Sequence, residues 1–209
     1  MELKVLADQI EVAQFAHEWV TQKVNTTKAN SLYLPAGETP KELYKLWEDE
    51  SPDFLKHLNF IQIDDVRSGK KAGTFKKFFL ENLPSLTQQF IWIEEKQKYQ
   101  AKLALLGLGL NGHIAFHEPE LPDDFSFQEV SLSVKSIKTL GLEEGAKGFS
   151  YGIKDFLNCE AILLMVTGEN KKAILKRLLD KDPTITASKL LGHSGLTLVC
   201  DQATLTQED

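Results

Sequence analysis

Short apolar runs separated by helix-length stretches constrain this chain more than any other feature of its sequence. The runs are 32–34, 60–63, 90–93, 103–106, 130–134, 161–166 and 196–199, and most are apolar at successive positions rather than alternate ones. A strand that is apolar on both faces must be covered on both faces, which is the signature of a parallel sheet between helical layers. Helical spacing is predicted over 6–24, where Leu6, Ile10, Ala13, Val20 and Val24 share a face, and over 40–49, 73–82, roughly 145–157 and 169–180. Strand and helix in alternation imply an α/β chain: a three-layer αβα arrangement around a mostly parallel, Rossmann-like sheet. With 209 residues, 42% of them hydrophobic, residues 1–209 can bury one sizeable core, so a single domain is expected. No repeat, low-complexity tract or linker interrupts it.

Open α/β sheets bind ligands beyond the carboxyl ends of their strands. Here those ends supply Gly37-Glu38-Thr39, Asp64-Asp65, the loop from Gly107 to His113, and Thr167-Gly168 with Lys171 just behind. The formal net charge of −6 excludes a broad basic footprint, so no nucleic acid partner is expected, although a local cationic pocket is compatible with it. Cys159 and Cys200 are too few for a disulfide framework and sit in apolar runs, where buried thiols are the simple reading. The opening MELKVLADQI lacks a cationic stretch leading into an apolar one, and no window is long enough to span a bilayer. A cytoplasmic protein without a membrane partner, monomeric or a small homo-oligomer, is the expectation.

The stretch GLGLNGHIAFHEP, residues 107–119, satisfies G-x-G-x-x-G, yet it does not read as a dinucleotide cradle. Such a cradle opens a helix at its third glycine, and Pro119 and Pro122 interrupt any helix there. A metal reading would use His113, His117 and Glu118 but lacks a further evident ligand. The remaining reading is acid/base chemistry: glycine turns expose His113 at the sheet edge, Asn111 and Glu118 orient it, and Asp64 offers a carboxylate base from another strand. The plain alternatives are a partly buried histidine satisfied by a carbonyl and a carboxylate that merely caps a helix.

This loop is similar to the G-x-G-x-[DN]-G-H-I-[AG]-F-N-E-P loop of the glucosamine-6-phosphate deaminase (isomerase) family, which shares its fold with the 6-phosphogluconolactonases. LPAGETPKELY at 34–44, FIQIDD at 60–65, VTGENKKA at 166–173 and TASKLLGHSGLTLVCDQA at 186–203 extend the resemblance over nearly the whole chain. The lactonases lack a glutamate at the position of Glu118, which favours the deaminase branch. The resemblance implies an amino-sugar 6-phosphate, glucosamine or galactosamine, converted to a ketose 6-phosphate with loss of ammonia, and needing neither organic cofactor nor metal. It implies catalytic roles for Asp64, Asn111, His113 and Glu118, and phosphate contacts from Gly37, Thr39 and Lys171. A phosphate arginine is also implied, but the chain's arginines are Arg67 and Arg177, and Lys138 stands in about the corresponding place. A lactone hydrolase and a non-catalytic sugar-phosphate sensor are the competing readings.

Several positions depart from that family. Asn111 stands where aspartate is common, and His117 replaces an asparagine, which is expected to add bulk and a titrating group beside the sugar and so to shift preference among amino sugars. Glu38 puts a carboxylate in the phosphate turn, where it would repel the ligand unless it points outward. The compact stretch from Glu120 to Glu143 implies no allosteric effector site.

Overall fold

The computed structural model describes residues 1–95 and 97–205. Its strands and helices run in the order β1 (Glu2–Leu6), α1 (Gln9–Thr27), β2 (Ser31–Leu34), α2 (Lys41–Glu50), β3 (Asn59–Gln62), β4 (Asp64–Val66), α3 (Thr74–Asn82), β5 (Phe90–Ile91) and β6 (Leu103–Gly107). They continue with β7 (Gln128–Ser131), α4 (Val134–Leu140), β8 (Lys147–Ser150), α5 (Ile153–Phe156), β9 (Ala161–Val166), α6 (Lys172–Leu179) and β10 (Leu196–Asp201). Seven strands form a parallel sheet in the order β1-β10-β9-β6-β2-β3-β5, and β4, β8 and β7 form a small antiparallel sheet beside it.

The expected αβα layering follows from the apolar runs. In β9, Ala161, Leu163 and Met165 face a core with α1 and α2, where Val12, Ala16, Leu43 and Trp47 pack; Ile162, Leu164 and Val166 face the opposite core with Ile153, Ile174 and Leu178. Burying each of these larger side chains is worth about 1.5–3 kcal/mol, so a run without polar positions is stable only between two covered faces. A third, smaller core joins Val66, Phe116, Phe125, Val130 and Leu132 beneath the antiparallel sheet. From β2 the sheet grows in one direction through β3 and β5, and in the other through β6, β9 and β10. The crevice between β2 and β6 is therefore the topological switch point.

Several expectations are corrected. The first helix starts at Gln9, where the Asp8 carboxylate accepts from the amides of Ile10 and Glu11, and Leu6 ends a strand instead. The stretch 145–157 is no helix: β8 and the one-turn α5 replace it, with Gly148 so close to Phe116 that an added Cβ would lie 2.6 Å from the ring. The run 130–134 divides, β7 ending at Ser131 and α4 starting at Val134, while β5 covers only Phe90–Ile91 of 90–93. Among the described residues no helix is long and apolar enough to cross a membrane.

Candidate active site

A cavity of about 530 Å³ opens at the switch point. Its walls come from the turn Gly37–Thr39 after β2, Asp64 after β3, Gly107–Leu110 and His113 after β6, Lys135 and Ser136 on α4, and Thr167, Gly168, Asn170 and Lys171 after β9. A concave site where several strand ends converge is the usual form of a small-molecule site in this architecture.

Glycine packing and a chain of hydrogen bonds fix the loop after β6. The His113 ring lies directly over Gly109, where any Cβ would sit 2.3 Å from Nε2. Gly112 has φ 88, and a Cβ there would come within 2.4 Å of Ile185. These glycines thus seat an imidazole rather than a pyrophosphate. Asn111 donates through Nδ2 to Glu118 Oε2 at 2.7 Å, which turns its Oδ1 toward His113 Nδ1 at 2.6 Å. An amide oxygen only accepts, so Nδ1 carries the proton and Nε2 keeps its lone pair. Glu118 Oε2 is itself 3.4 Å from that Nδ1. Its other oxygen, Oε1, accepts from the hydroxyls of Ser133 at 2.8 Å and Ser136 at 2.5 Å. Glu118 is 3% exposed, and burial alone would raise its pKa. Hydrogen bonds from His113, Ser136 and Asn111 and the His113 charge outweigh that and hold the carboxyl down at about 2. His113 lines the cavity, with Asn111 and Glu118 behind it.

The neighbouring carboxylates Asp64 and Asp65 have separate tasks. Asp65 accepts from the amides of Val66, Phe75 and Lys76 and from Gln62 Nε2, at 2.7–2.9 Å, and so caps α3 from the adjoining strand. Asp64 is buried and lines the cavity, and its side chain is in no hydrogen bond among the described residues. Burial, with the charge of Asp65 adding to it, pushes its pKa well above the ordinary aspartate value. It is thus a carboxylate that holds a proton more tightly than an ordinary aspartate, the property a general base needs.

At the far end, Gly37 takes φ 121, open to residues with no Cβ, and leaves clear space beside the Thr39 segment. Glu38 does not block this turn. Its side chain is 87% exposed and pairs with Lys41 at 2.7 Å, so the expected repulsion is directed outward and largely neutralised. Lys171 is half-buried and donates to the Leu108 carbonyl at 2.5 Å.

Two sequence-based placements change. Lys138 is exposed on α4 and does not line the cavity; Lys135, three residues earlier, does. His117 also lies outside the cavity wall, fully buried with Nδ1 accepting from the Ile153 amide at 3.0 Å and its ring against Phe125. Burial, then the nearby Lys189 ammonium, lower its pKa to about 4, so it is a neutral core residue at pH 7 and not a sugar contact. Sequence reasoning missed Lys135, Ser133 and Ser136; the available signal was Ser133 as an N-cap and Gly141 as a helix stop, which frame α4.

The seating of His113 gives a direct expectation. Gly109→Ala should displace the ring by about 1 Å and lower kcat/KM by roughly tenfold to a hundredfold with little loss of folded protein, since small misplacements of a reacting group cost about that much. Steady-state kinetics beside a thermal melt decide it; parental kcat/KM in the Gly109→Ala variant removes the ring's importance.

Fold and cavity together define an αβα protein with a small-molecule crevice at its switch point. No family model matches the chain. A glucosamine-6-phosphate deaminase of Clostridium novyi strain NT is 30% identical over 97% of this chain and 98% of its own length. Another, from Lacticaseibacillus paracasei, is 26% identical with 97% of each covered. Among solved structures, a monomeric glucosamine-6-phosphate deaminase superposes with a TM-score of 0.83 at 20% identity, covering 98% of both chains. A 6-phosphogluconolactonase from Leishmania guyanensis gives 0.73 at 15% identity over 97% of both. The chain belongs to the glucosamine-6-phosphate deaminase family.

Proposed function

We propose that this protein converts an amino-sugar 6-phosphate to a ketose 6-phosphate with release of ammonia. The observation that carries this reading is the placement of an unpartnered, proton-avid Asp64 in the same cavity wall as a His113 backed by Asn111 and Glu118. His113, in the cavity wall, exchanges through Nε2 the proton that opens the sugar ring; positive charge on the imidazole is met by Glu118 behind it. In the open chain the C1 carbonyl acidifies the C2 hydrogen. Asp64 removes that hydrogen while the C1 oxygen takes a proton from water, and protonated Asp64 then returns a proton to C1 as the enolamine electron pair moves there, leaving a C2 iminium. Water adds at C2, and ammonia departs with the C–N electron pair, so that C2 ends as the ketone. The phosphate, held at the Gly37–Thr39 turn and Lys171, keeps the chain in register at a distance from the reacting carbons.

A coupled ammonia assay on glucosamine 6-phosphate and galactosamine 6-phosphate, with a lactone-hydrolysis assay beside it, tests this directly. Ammonia from either amino sugar supports the proposal; lactone hydrolysis without ammonia from both replaces it.

The pH profile carries a second expectation. Asp64 acts only when ionised, and its pKa is raised by burial and by Asp65, so kcat/KM should fall toward acid through a value above the ordinary 3.8. Glu118, held at about 2, contributes no inflection in that window. Rates corrected for the substrate's own phosphate titration check this. An acid limb at or below 3.8 would assign the base to another group.

A further inference from the structure

Among the described residues, the cavity's cations are Lys41, Lys135 and Lys171, and neither arginine of the chain joins them; Arg177 is engaged with Asp182 and Thr184. Lys41 is taken by Glu38. Lys171 has its charge disfavoured by burial and, next, by Lys135, with no carboxylate offsetting either. Two ammonium groups near enough to repel, facing one cavity, cost free energy in the empty protein and gain when an anion sits between them. The carboxylates in the wall do not supply that anion: Glu38 is paired with Lys41, and among the described residues neither Glu42 nor Asp64 forms an ion pair with Lys135 or Lys171.

The helix turn that carries the exposed Lys135 is fixed in place. Ser133 caps α4, its hydroxyl accepting from the Ser136 amide at 3.1 Å, and both serine hydroxyls donate to Glu118 Oε1. The first turn of α4, which carries Lys135, is therefore fastened to the carboxylate that backs His113.

We propose that Lys135 is the second phosphate cation of this protein, sharing one cavity wall with Lys171 and carried on a helix turn that Ser133 and Ser136 fasten to Glu118. This rests on the amino-sugar phosphate reading and assigns to a helix-borne lysine the task that the family resemblance gives to an arginine. A point charge on a tethered helix holds a dianion without the fixed fork of a guanidinium.

The test uses inorganic phosphate and the full chain. Calorimetric titration at low ionic strength should show Lys135→Gln weakening phosphate binding about tenfold, the size of one charge-assisted hydrogen bond shared with a neighbour, with Lys135→Arg restoring it. Lys138→Gln, which removes the same charge from the same helix, should change it less than about threefold by long-range attraction alone. In turnover, KM should rise with Lys135→Gln more than kcat falls. Equal weakening by the Lys135 and Lys138 variants would overturn the proposal, as would turnover of an amino-sugar phosphate by a protein whose phosphate affinity ignores Lys135. Phosphate binding that depends on Lys135, in a protein that releases no ammonia, would leave the clamp standing and remove the deaminase reading.

Discussion

Asp64→Asn is expected to lower kcat by about 10²–10⁴-fold, the usual contribution of a positioned general base, while the protein becomes no less stable. Both halves follow from the same burial. An amide cannot take the C2 proton, so exchange of that hydrogen with solvent deuterium should stop along with ammonia release. The stability half has a definite sign. Asp64 has a folded pKa raised above its unfolded value, so ionisation is disfavoured in the folded state, and the penalty appears as pH rises through the unfolded value and stays above the folded one. Asparagine carries no such penalty. At about pH 8 the variant should therefore melt at or above the parent temperature, a trade of stability for activity common at reactive sites. A variant that keeps a tenth of the parental kcat, or melts well below it, removes Asp64 from the role of base.

Glu118→Ala should fail on both counts. Its carboxylate satisfies Ser133, Ser136 and Asn111 and faces His113, and it is 3% exposed. Removing it leaves buried donors without acceptors at about 1–3 kcal/mol each, less whatever water recovers, so a loss of several kcal/mol is expected. The hold on the His113 tautomer goes with it, and kcat should fall by about 10²-fold or more. The pH dependence gives an independent reading. Glu118 has a folded pKa lowered to about 2 from 4.5, so it contributes stability that is present above 4.5 and lost as pH falls toward 2. Melting curves from about pH 6 to about pH 3 should accordingly show a smaller acid loss in the alanine variant than in the parent. Equal acid sensitivity would mean that the carboxylate is not held as described.

The parallel core was legible because β2, β3, β6, β9 and β10 are apolar on both faces, and only a doubly covered sheet accommodates such runs. β1 was not: it is a short edge strand with Leu3 and Val5 each 41% exposed, so it lacks the doubly apolar run of the central strands, and Leu6 also fits the helical spacing that follows. The antiparallel sheet escaped for a different reason. β4 and β8 are short, and Gly148 gives room to Phe116 across the fold, a contact no local window contains. At the site, the chemistry-bearing side chains could be named from their positions at strand ends. The division of labour between Asp64 and Asp65 could not, because it depends on Asp65 reaching the amides of α3. Lys135 and Lys138 are indistinguishable in sequence; helix phase relative to the cavity separates them.

The register of β1 has a further consequence for how the fold is assembled. Among the described residues, Glu2 through Leu6 pair only with Thr197 through Asp201 of β10, the last strand of the described chain. Within the described chain, β1 thus has no ladder partner until β10 has been made. While a nascent chain lengthens, α1 and the central strands can pack, but this edge waits for β10 and is closed only by a pairing of very long sequence separation.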